Sequence, residues 1–297
     1  MSRVSFRCVA FVSAAVASAA WLLPALPAAE PLVAFPGAEG FGRFAKGGRS
    51  GDIYHVTTLD DSGPGSLRDA VKTKQADVPR TVVFDVGGTI KLAKPLRIEN
   101  VNGLTLAGQT APGGGIAVRD HGMDFRNCTD LVVRFMRFRL GDETKTSEDV
   151  INVGPEEGTC RDVTREKFLQ PAEVVPEADR PVTHSAERAS AMILERAGAS
   201  LVRDAADERV IKGVKARTNR RIDSQKQVGG WPKLAAGEPR SDTDGDGMPD
   251  EWEQAHGLDP RDRRDGNAAP DGGYTNLERY LSELAGDRPA AAAAEGS

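Results

Sequence analysis

From Asp52 onward the apolar residues fall in short runs separated by Gly, Asn, Asp and Pro. The runs Asp52–Thr57, Thr81–Val86, Thr89–Leu92, Leu104–Ala107, Ile116–Arg119, Leu131–Phe138 and Asp149–Val153 are about four to eight residues long and rich in Val, Ile, Thr and Phe, a pattern that predicts strands. No stretch of helical periodicity separates the later runs. Their centres, near Val83, Thr105, Val133 and Ile151, recur roughly every 18 to 28 residues, which suits the coils of a parallel β-solenoid in which each coil covers the apolar face of the last. A β-sandwich is the competing architecture, because it too is built from many short strands.

The pattern changes after residue 163. Ala186–Gly198 and Asp204–Arg217 carry apolar residues at helical spacing, with Ser185 and Asp204 placed as N-caps and Gly198 as a stop, so two short helices are expected after the Pro-rich stretch Gln170–Pro181. Thr275–Leu284 reads as a third, short amphipathic helix, and the Ala-rich tail beyond Pro289 reads as disordered. At the other end, Arg3 and Arg7 precede the apolar run Cys8–Leu23. Pro24 and Pro27 follow it, then the small residues Ala28 and Ala29, as in a signal peptide cleaved close to those alanines. The expected organisation is therefore a signal peptide at 1–29, β-solenoid coils at 30–163, a helical segment at 164–227, a loop segment at 228–287 and a tail at 288–297. The mature protein is expected to be secreted or periplasmic, with no second apolar run long enough to span a membrane.

Composition adds limits. The 297 residues are 39% hydrophobic, enough for a core, while 32 Gly and 18 Pro imply many turns. A net charge of −5 gives no reason to expect nucleic acid or an anionic membrane as partner, and does not exclude an acidic ligand held through a metal. Cys8 leaves with the signal peptide. Cys128 and Cys160 could pair only if their strands lie side by side, and two small buried residues are the alternative.

The most specific local motif is DTDGDGMPDEWE at 242–253. Calcium takes six to eight oxygens, which a loop supplies by setting carboxylates at alternate positions around a glycine turn. Asp242, Asp244 and Asp246 occupy the first, third and fifth positions and Gly247 the turn. Met248 offers a backbone carbonyl, Asp250 is ninth, and Glu253 is the bidentate twelfth ligand, which fits the calcium-loop pattern at every specified place. The prolines and glycines of Gly229–Ser241 forbid an incoming helix, so a structural rather than a signalling ion is expected. A second copy at Ala268–Arg279 lacks the early acidic ligands; Asp271 and Glu278 are left as solvated charge or as groups completing the first site from outside.

Four ordered segments carry a resemblance that periodicity does not show. AFPGAEGFGRFAKGGRSGDIYHVTTLDDSGPGSLRDAV at 34–71 looks like the opening of bacterial pectate lyases and related polysaccharide lyases. RTVVFDVGGTIKL at 80–92, LTLAGQTAPGGGIAVRD at 104–120 and LVVRFMRFRLGDE at 131–143 continue it in order. RDAADERV, RRIDSQKQVGGWP and DTDGDGMPDEWE resemble the tail of a secreted subgroup of that family. The resemblance implies a right-handed parallel β-helix, calcium as cofactor, and pectate, an acidic polysaccharide, as the substrate of a β-elimination.

In that chemistry a cation neutralises the carboxylate beside the abstracted proton, and an arginine acts as base despite a pKa above about 12. The positions matching the family's calcium cleft are Asp142, Glu143 and Asp149, which could equally be ordinary turn acids. Arg137 and Arg139, on one face of a strand, could meet an anionic sugar or be held in salt bridges. After GPEEGTCRDV at 154–163, the resemblance calls for further coils with an Asp-His-Cys-Ser-like stretch and an Arg-x-Pro-Arg-like context, and none is present. The chain thus reads as a truncated β-helix without its central catalytic coils, followed by two short helices and a calcium-loop segment. The alternative to a lyase is a non-catalytic exported remnant that binds calcium or glycan.

Overall fold

A computed structural model of the chain describes residues 31–145, 149–154 and 180–288. The expected signal peptide, Cys160 with its pairing to Cys128, the Pro-rich connection up to 179 and the tail from 289 lie outside the described residues.

Alternating apolar residues put one face of each strand inward, and among the described residues ten parallel strands use this to stack. They are β1 (Asp52–Val56), β2 (Arg80–Phe84), β3 (Gly88–Lys91), β4 (Leu96–Glu99), β5 (Asn102–Ala107), β6 (Ile116–Arg119), β7 (Met123–Arg126), β8 (Thr129–Arg134), β9 (Met136–Arg139) and β10 (Ile151–Gly154). Three sheets result, in the orders β1-β2-β5-β8, β3-β6-β9 and β4-β7-β10. The chain visits the sheets in turn, so this is a parallel β-solenoid rather than a sandwich. Register places like on like: Val82 on Leu106 on Val133, Ile90 on Val118 on Phe138, and Ile98 on Phe125 on Val153. Each inward residue is covered by the next coil, and on the last described strands the inward residues are less covered. Leu106 and Phe125 are 0% and 2% exposed, whereas Val133 and Val153 are 38% and 68% exposed.

The structure departs from the expected strands in three places. Leu131–Phe138 is two strands in different sheets, β8 and β9, because Phe135 turns the chain with φ of 54°. A bulky aromatic residue seldom adopts that left-handed backbone, so nothing in the sequence marks the corner. Ile151 does not stack on Val133 but enters the third sheet beside Met123. The strands β4 and β7 have too few apolar residues to stand out alone. A helix, α1 (Leu67–Lys72), was also not expected; Ser66 caps it by accepting the Asp69 amide, and Leu67, Ala70 and Val71 are buried in the solenoid core.

Two helices follow in the 180–228 region, α2 (Ala186–Arg196) and α3 (Ala205–Ala216). Ser185 and Asp204 are their N-caps, Gly198 takes φ of 71° just past α2, and Asp204 with Asp207 forms a capping box. The C-terminal segment adds α4 (Asp250–Ala255) and α5 (Asn276–Ala285), the latter capped by Thr275 with Glu278 and ended by Gly286. This segment lies on the outer face of the first sheet. Met248, Leu277, Tyr280 and Leu281 cluster with Ala107, and Ile53 packs against them. All of β2 is consequently buried: Val82 and Phe84 face the solenoid core while Val83 approaches Gly247 from the other side, which explains its unbroken apolar text. Among the described residues no helix is long and apolar enough to cross a membrane.

Candidate metal centre

The acidic loop is shaped by its own first aspartate. Asp242 accepts hydrogen bonds from the amides of Gly245, Asp246 and Gly247 at 2.8, 3.3 and 2.9 Å, which folds the following residues around its carboxylate. Gly247 sits at φ of 89°, and a Cβ there would meet Leu277 Cδ1 at 3.1 Å, with Ile53 and Val83 at 3.4 Å. Glycine is required both by the backbone and by the contact with the sheet.

Around this turn two acidic sets converge. Single carboxylate oxygens of Asp242, Asp244 and Asp246 lie within 4.8 Å of one another, and so do those of Asp246, Glu253 and Asp265. Asp246 and Glu253 are 0% exposed. Among the described residues, Asp244 Oδ2, Asp246 Oδ2, both Glu253 oxygens and Asp265 Oδ1 are buried without a hydrogen-bond donor. Burial without a partner, reinforced by like charges, raises these carboxyls. Glu253 is pushed up to about 8 by desolvation and by Asp246, Asp244, Asp265 and Asp242. Asp246 is pushed up to about 7 by desolvation against the Met248 amide bond, and Asp244 is raised by desolvation and by Asp242. Left to themselves these groups repel. An all-oxygen anionic set of this kind suits a hard dication such as calcium and would be satisfied by one.

The other residues expected at the loop behave differently. Asp250 turns away to accept from Ser241 Oγ, Thr243 N and Thr243 Oγ1, each at 2.7 Å, and these bonds hold its carboxyl low. The Met248 side chain is buried in the cluster on the sheet, and its amide donates to Asp246 Oδ1 at 2.9 Å. Neither Asp271 nor Glu278 completes the site: Asp271 pairs with Arg279, and Glu278 pairs with Arg49 at 2.7 Å. Asp265, in DPRDRRDG, is instead the acid that converges with Asp246 and Glu253, and only a fold that returns the 259–266 turn to the loop could reveal it. Beside the loop, His55 Nδ1 lies 3.0 Å from Asp85 and Nε2 lies 3.7 Å from Asp242. Burial presses this imidazole down, but the Asp85 bond and the charges of Asp85 and Asp242 outweigh it and raise it. His55, Asp85, Arg240, Asp242 and Tyr280 line a cavity of about 450 Å³ between sheet and loop segment.

The residues matched to the family's catalytic groove do not converge. Arg137 and Arg139 point outward from β9 into the N-terminus of α3. Arg137, 5% exposed, donates to Asp207 at 2.8 Å, to Gly114 O at 3.0 Å and to Val202 O. Arg139 spans both Asp204 oxygens at 2.6 and 2.8 Å and reaches Asp207 at 3.0 Å. Burial would lower Arg139, but the Asp204 bonds and the charges of both aspartates hold it above its ordinary value, and Asp204 is correspondingly lowered. Asp142 is engaged by Ser224 and Gln225, whose hydrogen bonds lower it, and Glu143 lies 3.4 Å from Arg119. Asp149 is exposed. None of Asp142, Glu143 and Asp149 belongs to an acidic set of three among the described residues.

A parallel β-solenoid carrying an acidic loop on the outside of its first sheet defines the class of protein. Over 132 residues, 44% of this chain, it is 48% identical to a protein of Emericella nidulans named probable pectate lyase C, covering 30% of that protein. Over 122 residues, 41% of the chain, it is 50% identical to proteins of the same name from Neosartorya fischeri and Aspergillus fumigatus, covering 28% of each. No family model matches the chain. The matched stretch thus spans under a third of the curated relatives' length. Over that stretch the sequence is similar to these proteins, and the parallel β-solenoid is consistent with a pectate-lyase-like β-helix.

Proposed function

We propose that this chain is an exported, calcium-binding β-solenoid of pectate-lyase type that does not turn over polygalacturonate. The observation that carries the reading is the state of Arg137 and Arg139. A general base must give up its proton, and arginine does so only when its surroundings disfavour the cation. Here two aspartates stabilise the cation and fill its donor sites, so both arginines serve to anchor α3. The acids Asp142, Glu143 and Asp149 stand apart and offer no shared cradle for a catalytic ion. The absent Arg-x-Pro-Arg-like and Asp-His-Cys-Ser-like texts agree with a loss of the central coils. In this reading the ion belongs to the 242–253 loop, with Asp242, Asp244, Asp246, Glu253 and the Met248 carbonyl as its ligands. Its contribution is to neutralise carboxylates that otherwise repel.

The competing reading, calcium-dependent β-elimination of pectate, is what the resemblance of the four N-terminal segments implies, and the name of the relatives agrees with it. The test is purified full-length protein with polygalacturonate and millimolar calcium, following the ultraviolet absorbance of the unsaturated product. No rate above buffer is expected. A rate that vanishes with chelator would overturn the proposal. Substitution of Arg137 and Arg139 in turn would then show whether either is the base.

A further inference from the structure

We infer that Asp265, which lies outside the twelve-residue loop, is a direct ligand of the calcium ion and takes the place that Asp250 leaves. The inference rests on the calcium reading of the loop and adds a ligand that the motif does not contain. Calcium needs six to eight oxygens. The ninth position of such a loop ordinarily contributes one, often through water. Asp250 fills that position in the sequence, yet its two oxygens are taken by three donors from Ser241 and Thr243. Asp265 Oδ1 is buried and without a donor, and a carboxylate oxygen of Asp265 lies within 4.8 Å of oxygens of Asp246 and Glu253. Glu253 is itself fully buried with both oxygens unpartnered, so the set is aimed at something that is not a protein donor.

The approach of Asp265 is built in. Its other oxygen accepts the Asp259 amide at 3.2 Å, and its backbone carbonyl accepts from Asn276 Nδ2 at 2.9 Å. The next residue is Gly266, where a Cβ would fall 2.4 Å from Asp246 Oδ2. No larger residue lets this backbone come so near the loop. The Gly266 carbonyl in turn accepts the Leu277 amide at 3.0 Å, at the start of α5. An ion held by Asp246, Glu253 and Asp265 would therefore join the loop to the helix that packs on the first sheet.

The test is calcium titration of the full chain by calorimetry, comparing wild type with Asp265→Asn, Asp250→Asn and Glu253→Gln. Asp265→Asn keeps an acceptor for the Asp259 amide but removes the charge, and should weaken calcium by about tenfold or more. Asp250→Asn should change affinity by less than about threefold. If Glu253→Gln abolishes binding while Asp265→Asn binds like wild type, the loop stands and the inference falls. If wild type takes up no calcium, both fall. A crystal structure of the wild-type chain with calcium gives a readout independent of the variants. Asp265 Oδ1 should lie about 2.3–2.6 Å from the ion, and a longer distance overturns the inference.

Discussion

Glu253→Gln should make the calcium-free protein more stable and the calcium-loaded protein less so. In the absence of an ion, Glu253 is fully buried with neither oxygen partnered, and its pKa is pushed up to about 8. A carboxyl raised in the fold binds more protons than in the unfolded chain. Its contribution is therefore most favourable below about pH 4.5 and is lost as pH rises toward 8. At about 1.4 kcal/mol per pKa unit, keeping Glu253 ionised above pH 8 costs the calcium-free fold on the order of 3–5 kcal/mol. Glutamine removes that charge and offers a donor to Asp246. In chelator at pH 8, thermal unfolding of the variant should therefore occur above that of wild type. Calcium at a hundredfold excess over Kd should add about 2.7 kcal/mol to wild type. For a chain of this size that is about 4–5 °C in Tm. Glu253→Gln should show none of this gain. Equal Tm for wild type in calcium and in chelator, or a variant less stable than wild type in chelator at pH 8, would refute the reasoning.

Other perturbations probe the remaining joints. Arg139→Ala leaves Asp204 and Asp207 facing Arg137 alone and should cost about 3–5 kcal/mol in urea unfolding, with faster hydrogen exchange across 205–216; unchanged exchange there would remove the arginines as the anchor of α3. Leu281→Ala, at a side chain 7% exposed in the cluster on the outer sheet face, should cost about 2–5 kcal/mol; a loss below 1 kcal/mol would mean the packing there is loose. Residues 1–30 fused to a reporter should carry it across the inner membrane with cleavage near Ala28 or Ala29, and a full-length cytoplasmic reporter would sink the export reading.

The solenoid was legible because its periodicity lives in local text. Runs such as Thr89–Leu92 and Ile116–Arg119 announce themselves by β-branched residues between turns, and their spacing matches the coil. What escaped was carried by residues acting out of type. Phe135 turns a corner where Gly or Asn would be expected, and β4 and β7 each rely on only two inward apolar residues, such as Ile98 and Phe125. At the loop, alternate aspartates and Gly247 predicted the turn because one carboxylate and its following amides are neighbours in sequence. Asp250 and Asp265 were not separable that way. Thr243 and Ser241 capture the first, and a long-range return through Gly266 delivers the second, so both outcomes are decided by packing. The same holds for Arg137 and Arg139, whose partners lie some 65 to 70 residues away.

The outer face of the first sheet has one last consequence. The C-terminal segment touches every coil in turn, through Ile53 on β1, Val83 on β2, Ala107 on β5, and Arg134 on β8, whose guanidinium grips Asp287 at 2.6 and 2.8 Å. The segment works as a ruler laid along the stack. Inserting or deleting a coil among these four would shift its marks by one strand spacing, about 4.8 Å, and break the alignment of loop, helix and ion pair together.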